Sequence, residues 1–147
     1  MRSKKRLSNT APVAMRMALA AGFLSAVADR FGLWGPPGTP GVGWGEFAAF
    51  LTYTGRLLPF LPAPLVVVAG WAATVAEVAL AVALLVGIRV RLAALASGVL
   101  LLTFAIAMTT ALGPEAPLSY SVWTAAAGAF LLAQDRPAAC QEPPVAA

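Results

Sequence analysis

Residues 64–86 form a run of 23 residues in which Glu77 is the only charge. At about 1.5 Å per residue, a helix of that length reaches roughly 34 Å, enough to cross a hydrocarbon core of about 30 Å. The run is predicted to be a membrane-spanning helix. A carboxylate near its midpoint costs an isolated helix on the order of 2.5–3.5 kcal/mol, while each Leu, Ile or Val returns only about 0.3–0.6. A residue carried at that cost normally faces the bundle interior and has a partner or a task. Glu77 is therefore the leading candidate for a functional group.

Three further apolar segments lie at residues 12–31, 90–111 and 118–133. With 60% hydrophobic and 11% charged residues in a chain of 147, the apolar fraction exceeds what a soluble core of this size can hide. The expected fold class is all-α: a four-transmembrane-helix bundle in a single membrane domain, residues 1–134, with a disordered Pro- and Ala-rich tail over 135–147. The fourth segment is short, at about 24 Å. The basic N-terminus and Ala26-Val27-Ala28 before Asp29 have the form of a cleavable leader, but Arg16 interrupts its apolar stretch, so the segment is expected to remain as a helix.

The net charge of +4 does not point to nucleic acid, because the basic residues sit at the ends of spans. With no histidine, imidazole-based metal and haem sites and histidine triads are excluded. The single cysteine, Cys140, excludes a CxxC pair or an intrachain disulfide; it is expected to be a free thiol, with lipidation as the alternative. No metal site is expected.

Topology follows from the cations. With the N-terminus inside, Arg2, Lys4, Lys5, Arg6, Arg16, Arg89, Arg91 and Arg136 fall on the inner side, and only Arg30 and Arg56 on the outer. That asymmetry places both termini in the cytoplasm. Trp34, Trp44, Tyr53, Tyr120 and Trp123 fall near the opposite interface, where aromatic belts form. The outer loop, residues 32–63, opens with a turn-rich Gly/Pro stretch. It then carries Phe47, Phe50, Leu51, Thr54 and Leu58 on one face of a short amphipathic helix, from Glu46 to about Leu57, that caps the bundle or gates it.

Counting about 1.5 Å per residue from the inner boundary puts Glu77 roughly 15 Å deep, near the midplane. Gly22, Gly98 and Thr124 reach the same layer, with Ser25, Thr74 and Tyr120 slightly further out. Gly70, Thr74, Glu77 and Ala81 share one face of the second span; Ala18, Gly22, Ser25 and Asp29 share one of the first. Ala93, Ala94, Ser97 and Gly98 form small-residue pairs on the third, and Tyr120, Thr124 and Ala127 align on the fourth. Arg16 and Glu77 lean in opposite directions, since side chains tilt toward the N-terminus of their own helix, which argues against a salt bridge between them. Arg16 is expected to snorkel to the inner headgroups. Without a cation nearby, burial favours the neutral acid. Glu77 is accordingly expected to be protonated and to donate to Ser25, Thr124 or a backbone carbonyl. Asp29, Arg30, Glu46 and Arg56 are expected to form an exposed ion-pair cluster.

Three sequence elements resemble the DoxX/DoxD-like family of small four-helix bacterial membrane proteins. They are Arg16 with Ala21-Gly22 and Arg30; Ala76-Glu77 followed by Gly87 and Arg91; and the turn Gly87-Ile88-Arg89-Val90-Arg91-Leu92-Ala93-Ala94. The resemblance covers roughly residues 15–133. Asp29-Arg30 stands where the family often has Gly-x-x-Lys, and the long Trp- and Gly-rich outer loop is similar to one subgroup. The resemblance implies a bacterial inner (plasma) membrane location and association with membrane oxidoreductases, some members being subunits of thiosulfate:quinone oxidoreductase and others linked to sulfur or thiol redox. It implies a quinone, or an anionic sulfur compound, as ligand. On that analogy Trp71, Tyr120 and Glu77 contact a quinone, with Thr74, Ser25 and Thr124 nearby, and Arg30 and Arg56 attract an anion. Glu77 is the candidate catalytic residue. An oxidoreductase partner subunit or a homo-oligomer would complete the assembly. The competing expectation is a non-enzymatic membrane scaffold, or chaperone-like protein, in which Glu77 serves helix packing only.

Overall fold

The four long apolar runs can satisfy their backbone polar groups in hydrocarbon only by closing each hydrogen bond within the segment, and helix is what forms. The computed structural model describes residues 2–135, all of them helix, turn or connecting segment, with no strand among them. The elements are α1 (Arg2–Arg30), α2 (Phe47–Leu57), α3 (Ala63–Val86), α4 (Val90–Leu112), α5 (Glu115–Ser119) and α6 (Val122–Gln134). Three helices are long and apolar enough to cross a membrane: Thr10–Arg30 within α1, Ala63–Val86 and Val90–Leu112. These mark the chain as a membrane protein. The expectations for Arg136, Cys140 and the remainder of the tail fall outside the described residues.

The helices pair as α1 on α3 and α4 on α6, and α3 packs on α4 to join the two pairs. Their common core is built largely of alanine: Ala20, Ala81, Ala94 and Ala129 are fully enclosed, with Leu19, Phe23, Leu84 and Leu132 filling the gaps. Lipid tails are as apolar as any side chain, so helices in a bilayer associate by close contact, and small residues permit it. The α3–α4 turn is set by Gly87, whose φ of +82° takes the left-handed conformation that ends the helix. Its N–H and that of Ile88 both bond to the Ala83 carbonyl.

The predicted stripe Gly70, Thr74, Glu77 and Ala81 is buried along α3. Ala93, Ala94, Ser97 and Gly98 are likewise buried on α4. Two predicted stripes largely face the other way. Of the α1 stripe, Ala18, Gly22 and Ser25 are exposed and only Asp29 is buried, beside Leu19, Ala20, Phe23 and Arg30 from outside it. Tyr120, Thr124 and Ala127 are exposed, and α6 packs through Ala126, Ala129, Leu132 and Ala133. On α6 the seam is made mainly of alanine with Leu132, which allows the close approach that Tyr120 and Thr124 would prevent.

Three boundaries also differ from expectation. α1 runs through Pro12 back to Arg2. Proline forfeits one backbone hydrogen bond but does not oblige a helix to start there. The fourth apolar segment is interrupted at Ser121, in the left-handed region at φ +56°, which separates α5 from the 13-residue α6. At about 1.5 Å per residue α6 is roughly 20 Å long, short of the hydrocarbon thickness. The loop helix forms at Phe47–Leu57, one residue later than expected, and buries Phe50 and Thr54 from the predicted face. It lies against α3, where Leu51 and Phe50 close on Gly70.

Candidate functional site

The C-terminal end of α1 delivers two charged residues, Asp29 and Arg30, into protein rather than water: they are 8% and 3% exposed. α3 presents Glu77, 1% exposed, one turn below Thr74 on the same buried face. Arg30 joins them. Its Nη2 donates to Glu77 Oε1 at 2.7 Å and its Nη1 donates to Thr74 Oγ1 at 2.9 Å. The Thr74 hydroxyl in turn donates to the Gly70 carbonyl at 2.8 Å, so its lone pairs are left for Arg30. By residue counting Arg30 starts roughly 12 Å further out than Glu77. The two side chains close that gap because α1 and α3 are antiparallel in the predicted topology and each Cβ tilts toward its own N-terminus, Arg30 inward and Glu77 outward. The tilt that separates Arg16 from Glu77 brings Arg30 onto it.

Aromatic rings cover the pair. The Arg30 guanidinium carbon lies 3.9 Å from the Phe50 ring centre and 5.4 Å from that of Trp44, the geometry of a cation–π contact. Phe50 contacts Trp44 edge-on at 5.3 Å and Phe47 at 5.6 Å, and Phe47 reaches Trp71 at 4.5 Å and stacks on Phe31 at 5.6 Å. The cluster thus runs from the buried cation to Trp71 and Phe31, which are about half exposed on the apolar outside of the bundle. Asp29 holds the connecting segment over this cluster: its Oδ2 accepts from the Gly43 and Trp44 N–H groups, both at 3.0 Å. Trp44 also contacts Tyr53 at 6.0 Å, whose phenol is pushed above its ordinary range by burial first and by Tyr120 second.

Among the described residues, three buried side-chain polar atoms have no hydrogen-bond partner: Arg30 Nε, Glu77 Oε2 and Asp29 Oδ1. A buried donor and buried acceptors left open in this way cost about 1–3 kcal/mol each, more where charged, unless something else satisfies them. The arrangement can therefore donate to one oxygen of a small polar group and accept from a hydroxyl, beside a wall of rings.

Several sequence expectations are corrected here. Glu77 does not donate to Ser25 or Thr124: both of those residues are exposed, and Glu77 accepts from Arg30. Ser25 contributes only its backbone carbonyl, to the Trp34 indole N–H at 3.1 Å. Asp29 and Arg30 are not in an exposed cluster with Arg56 and Glu46, which remain at the surface apart from them. Gly22 does not face the carboxyl, having no atom within 4 Å of where a Cβ would sit. Tyr120 is 75% exposed and is not gathered with Glu77. Of the candidate ligand-binding residues, Glu77, Thr74 and Arg30 are brought into contact, Trp71 joins through the rings, and Ser25, Thr124, Tyr120 and Arg56 do not join. Arg16 does not pair with Glu77. Its Nε and Nη2 donate to the Leu84 carbonyl at 3.0 and 2.7 Å, securing the last turn of α3 instead of reaching only for headgroups. Sequence reasoning missed Phe50, Trp44 and Asp29 as members of the site. The signal available for them was the aromatic spacing of α2 and the Asp-Arg pair at the end of an apolar run. Comparison with family models, with curated proteins and with solved structures finds no match to this chain.

Proposed function

We propose that this is a DoxX-like membrane subunit or anchor of a quinone- or sulfur/thiol-linked oxidoreductase, and that the Arg30–Glu77 pair receives the polar end of a lipid-soluble ligand. The observation that supports this reading is the open donor and acceptor, Arg30 Nε and Glu77 Oε2, buried beside a ring cluster that extends to the apolar surface at Trp71. A quinone fits that chemistry: a carbonyl accepts from Arg30, a quinol hydroxyl donates to Glu77, and flat rings lie against Phe50 or Trp44. The quinone itself supplies the redox chemistry, and the catalytic partner supplies any metal or thiol centre, since this chain has one cysteine and no histidine. Arg30 and Glu77 orient the ligand and hold its proton. In this reading α5 and α6 together make a fourth crossing of a bacterial plasma membrane, both termini are cytoplasmic, and α2 lies on the outer side.

A second reading, a scaffold without a ligand, is favoured by a specific observation: Arg30 already spends donors on Thr74 and Glu77 and its face on two rings. Mass spectrometry of small molecules retained after mild detergent extraction separates the two. The ligand reading expects a quinone in the parent protein and its loss in Glu77→Gln and Arg30→Lys. No retained molecule, together with unchanged partner capture in Glu77→Gln, would establish the scaffold.

A further inference from the structure

We propose that residues 32–46 form a lid over the Arg30–Glu77 site, latched by the Asp29 carboxylate; this rests on reading that pair as a ligand site. The segment has neither helix nor strand, and its own backbone bonds are single turns: Gly35 to Gly32, Thr39 to Pro36 and Val42 to Thr39. Its far end is tied to α1 by Asp29 Oδ2, which accepts from two consecutive N–H groups, those of Gly43 and Trp44. That second residue carries one of the two rings over the Arg30 guanidinium, the other being Phe50 of α2. The latch and the group it covers are therefore neighbours in sequence, Asp29 and Arg30, at one helix end. Gly43 is part of the latch, because a Cβ there would stand 2.8 Å from Asp29 Oδ2. Asp29 is itself buried and its Oδ1 is unpartnered, so this carboxylate is held in place by the two N–H groups of the lid. In the closed form the guanidinium is enclosed, and a ligand reaches Arg30 Nε and Glu77 Oε2 only when Trp44 swings away. Opening breaks both Asp29 contacts together.

Phenylglyoxal, which condenses with accessible guanidinium groups, reads this directly on the full chain in detergent micelles, with peptide mass spectrometry resolving each arginine. Exposed Arg56 serves as the internal standard. In the parent protein Arg30 is expected to react at least tenfold more slowly than Arg56. Gly43→Ala, which crowds the latch while leaving every charge in place, is expected to raise Arg30 modification at least fivefold. Asp29→Asn is expected to act in the same direction. Gly55→Ala, whose Cβ would meet only Val66 at 3.8 Å, is expected to leave the rate unchanged. Arg30 as reactive as Arg56 in the parent protein, or unchanged protection in Gly43→Ala, overturns the lid. So does a rise matched by lost amide protection in α4, since that is unfolding. Quinone retention, measured separately on unmodified protein, reports on the site itself, so the two ideas can fail independently.

Discussion

Replacing one member of the Arg30–Glu77 pair should cost far more than replacing both. Glu77→Leu leaves a guanidinium, 3% exposed, without its counter-ion, and breaking a buried pair this way typically costs about 3–5 kcal/mol. Arg30→Met strands the Glu77 carboxylate and also removes the donor to Thr74 and the stack on Phe50, so its cost should be at least as large. In Arg30→Met/Glu77→Leu no charge remains, and apolar residues of similar volume replace a pair that had to be desolvated. That double variant should lie closer to the parent than either single, so the coupling should be at least as large as one single cost, about 3–5 kcal/mol. Equilibrium unfolding in mixed detergent micelles, followed by helical circular dichroism, yields the four free energies of the cycle. Because buried pairs are screened far less than surface ones, the coupling should change little between low and high salt. Additivity of the two singles within about 0.5 kcal/mol would refute the reasoning, as would a coupling that salt abolishes.

Other expectations follow from packing and capping. Gly98→Ala would place a Cβ 2.8 Å from the Phe130 ring between α4 and α6, and overpacking there should cost about 1–3 kcal/mol in the same unfolding assay. Gly128→Ala would meet the flexible end of Met15 at 2.9 Å, and Gly22→Ala nothing within 4 Å, so both should be milder, with Gly22→Ala nearly neutral. Arg16→Leu removes both donors to the Leu84 carbonyl and should cost about 1–3 kcal/mol, with hydrogen exchange accelerating first at the end of α3. Gly87→Ala should be worse than an exposed Gly→Ala, because φ is +82° and the new Cβ would lie 2.8 Å from Arg16 Nη2.

Much of the frame was legible from residue order. The run around Glu77 predicted α3 to within a residue, and Gly87 marked the turn because only a left-handed residue ends the helix there. The buried face of α3 followed from i+3 and i+4 spacing. The partner of Glu77 was not legible in the same way. Depth counting treated Arg30 as sitting at the level of its own backbone, in the outer headgroups, whereas its long side chain reaches back along α1. Its burial is produced by Trp44 and Phe50, which come from a turn-rich segment and a short helix with no fixed place in a span-by-span reading. The break at Ser121 escaped notice because a serine carries no strong signal for the left-handed region. On α1 and α6 small polar stripes competed with neighbouring apolar ones, and composition alone does not rank them.

The most direct measurement is solid-state NMR dipolar recoupling between 15N-guanidinium arginine and 13C-carboxyl glutamate in protein reconstituted into bilayers. With Arg30 Nη2 2.7 Å from Glu77 Oε1, one strong nitrogen–carbon contact is predicted, and it should vanish in both Arg30→Lys and Glu77→Gln. A spectrum with no such contact, or one that survives Arg30→Lys, would contradict a buried Arg30–Glu77 pair.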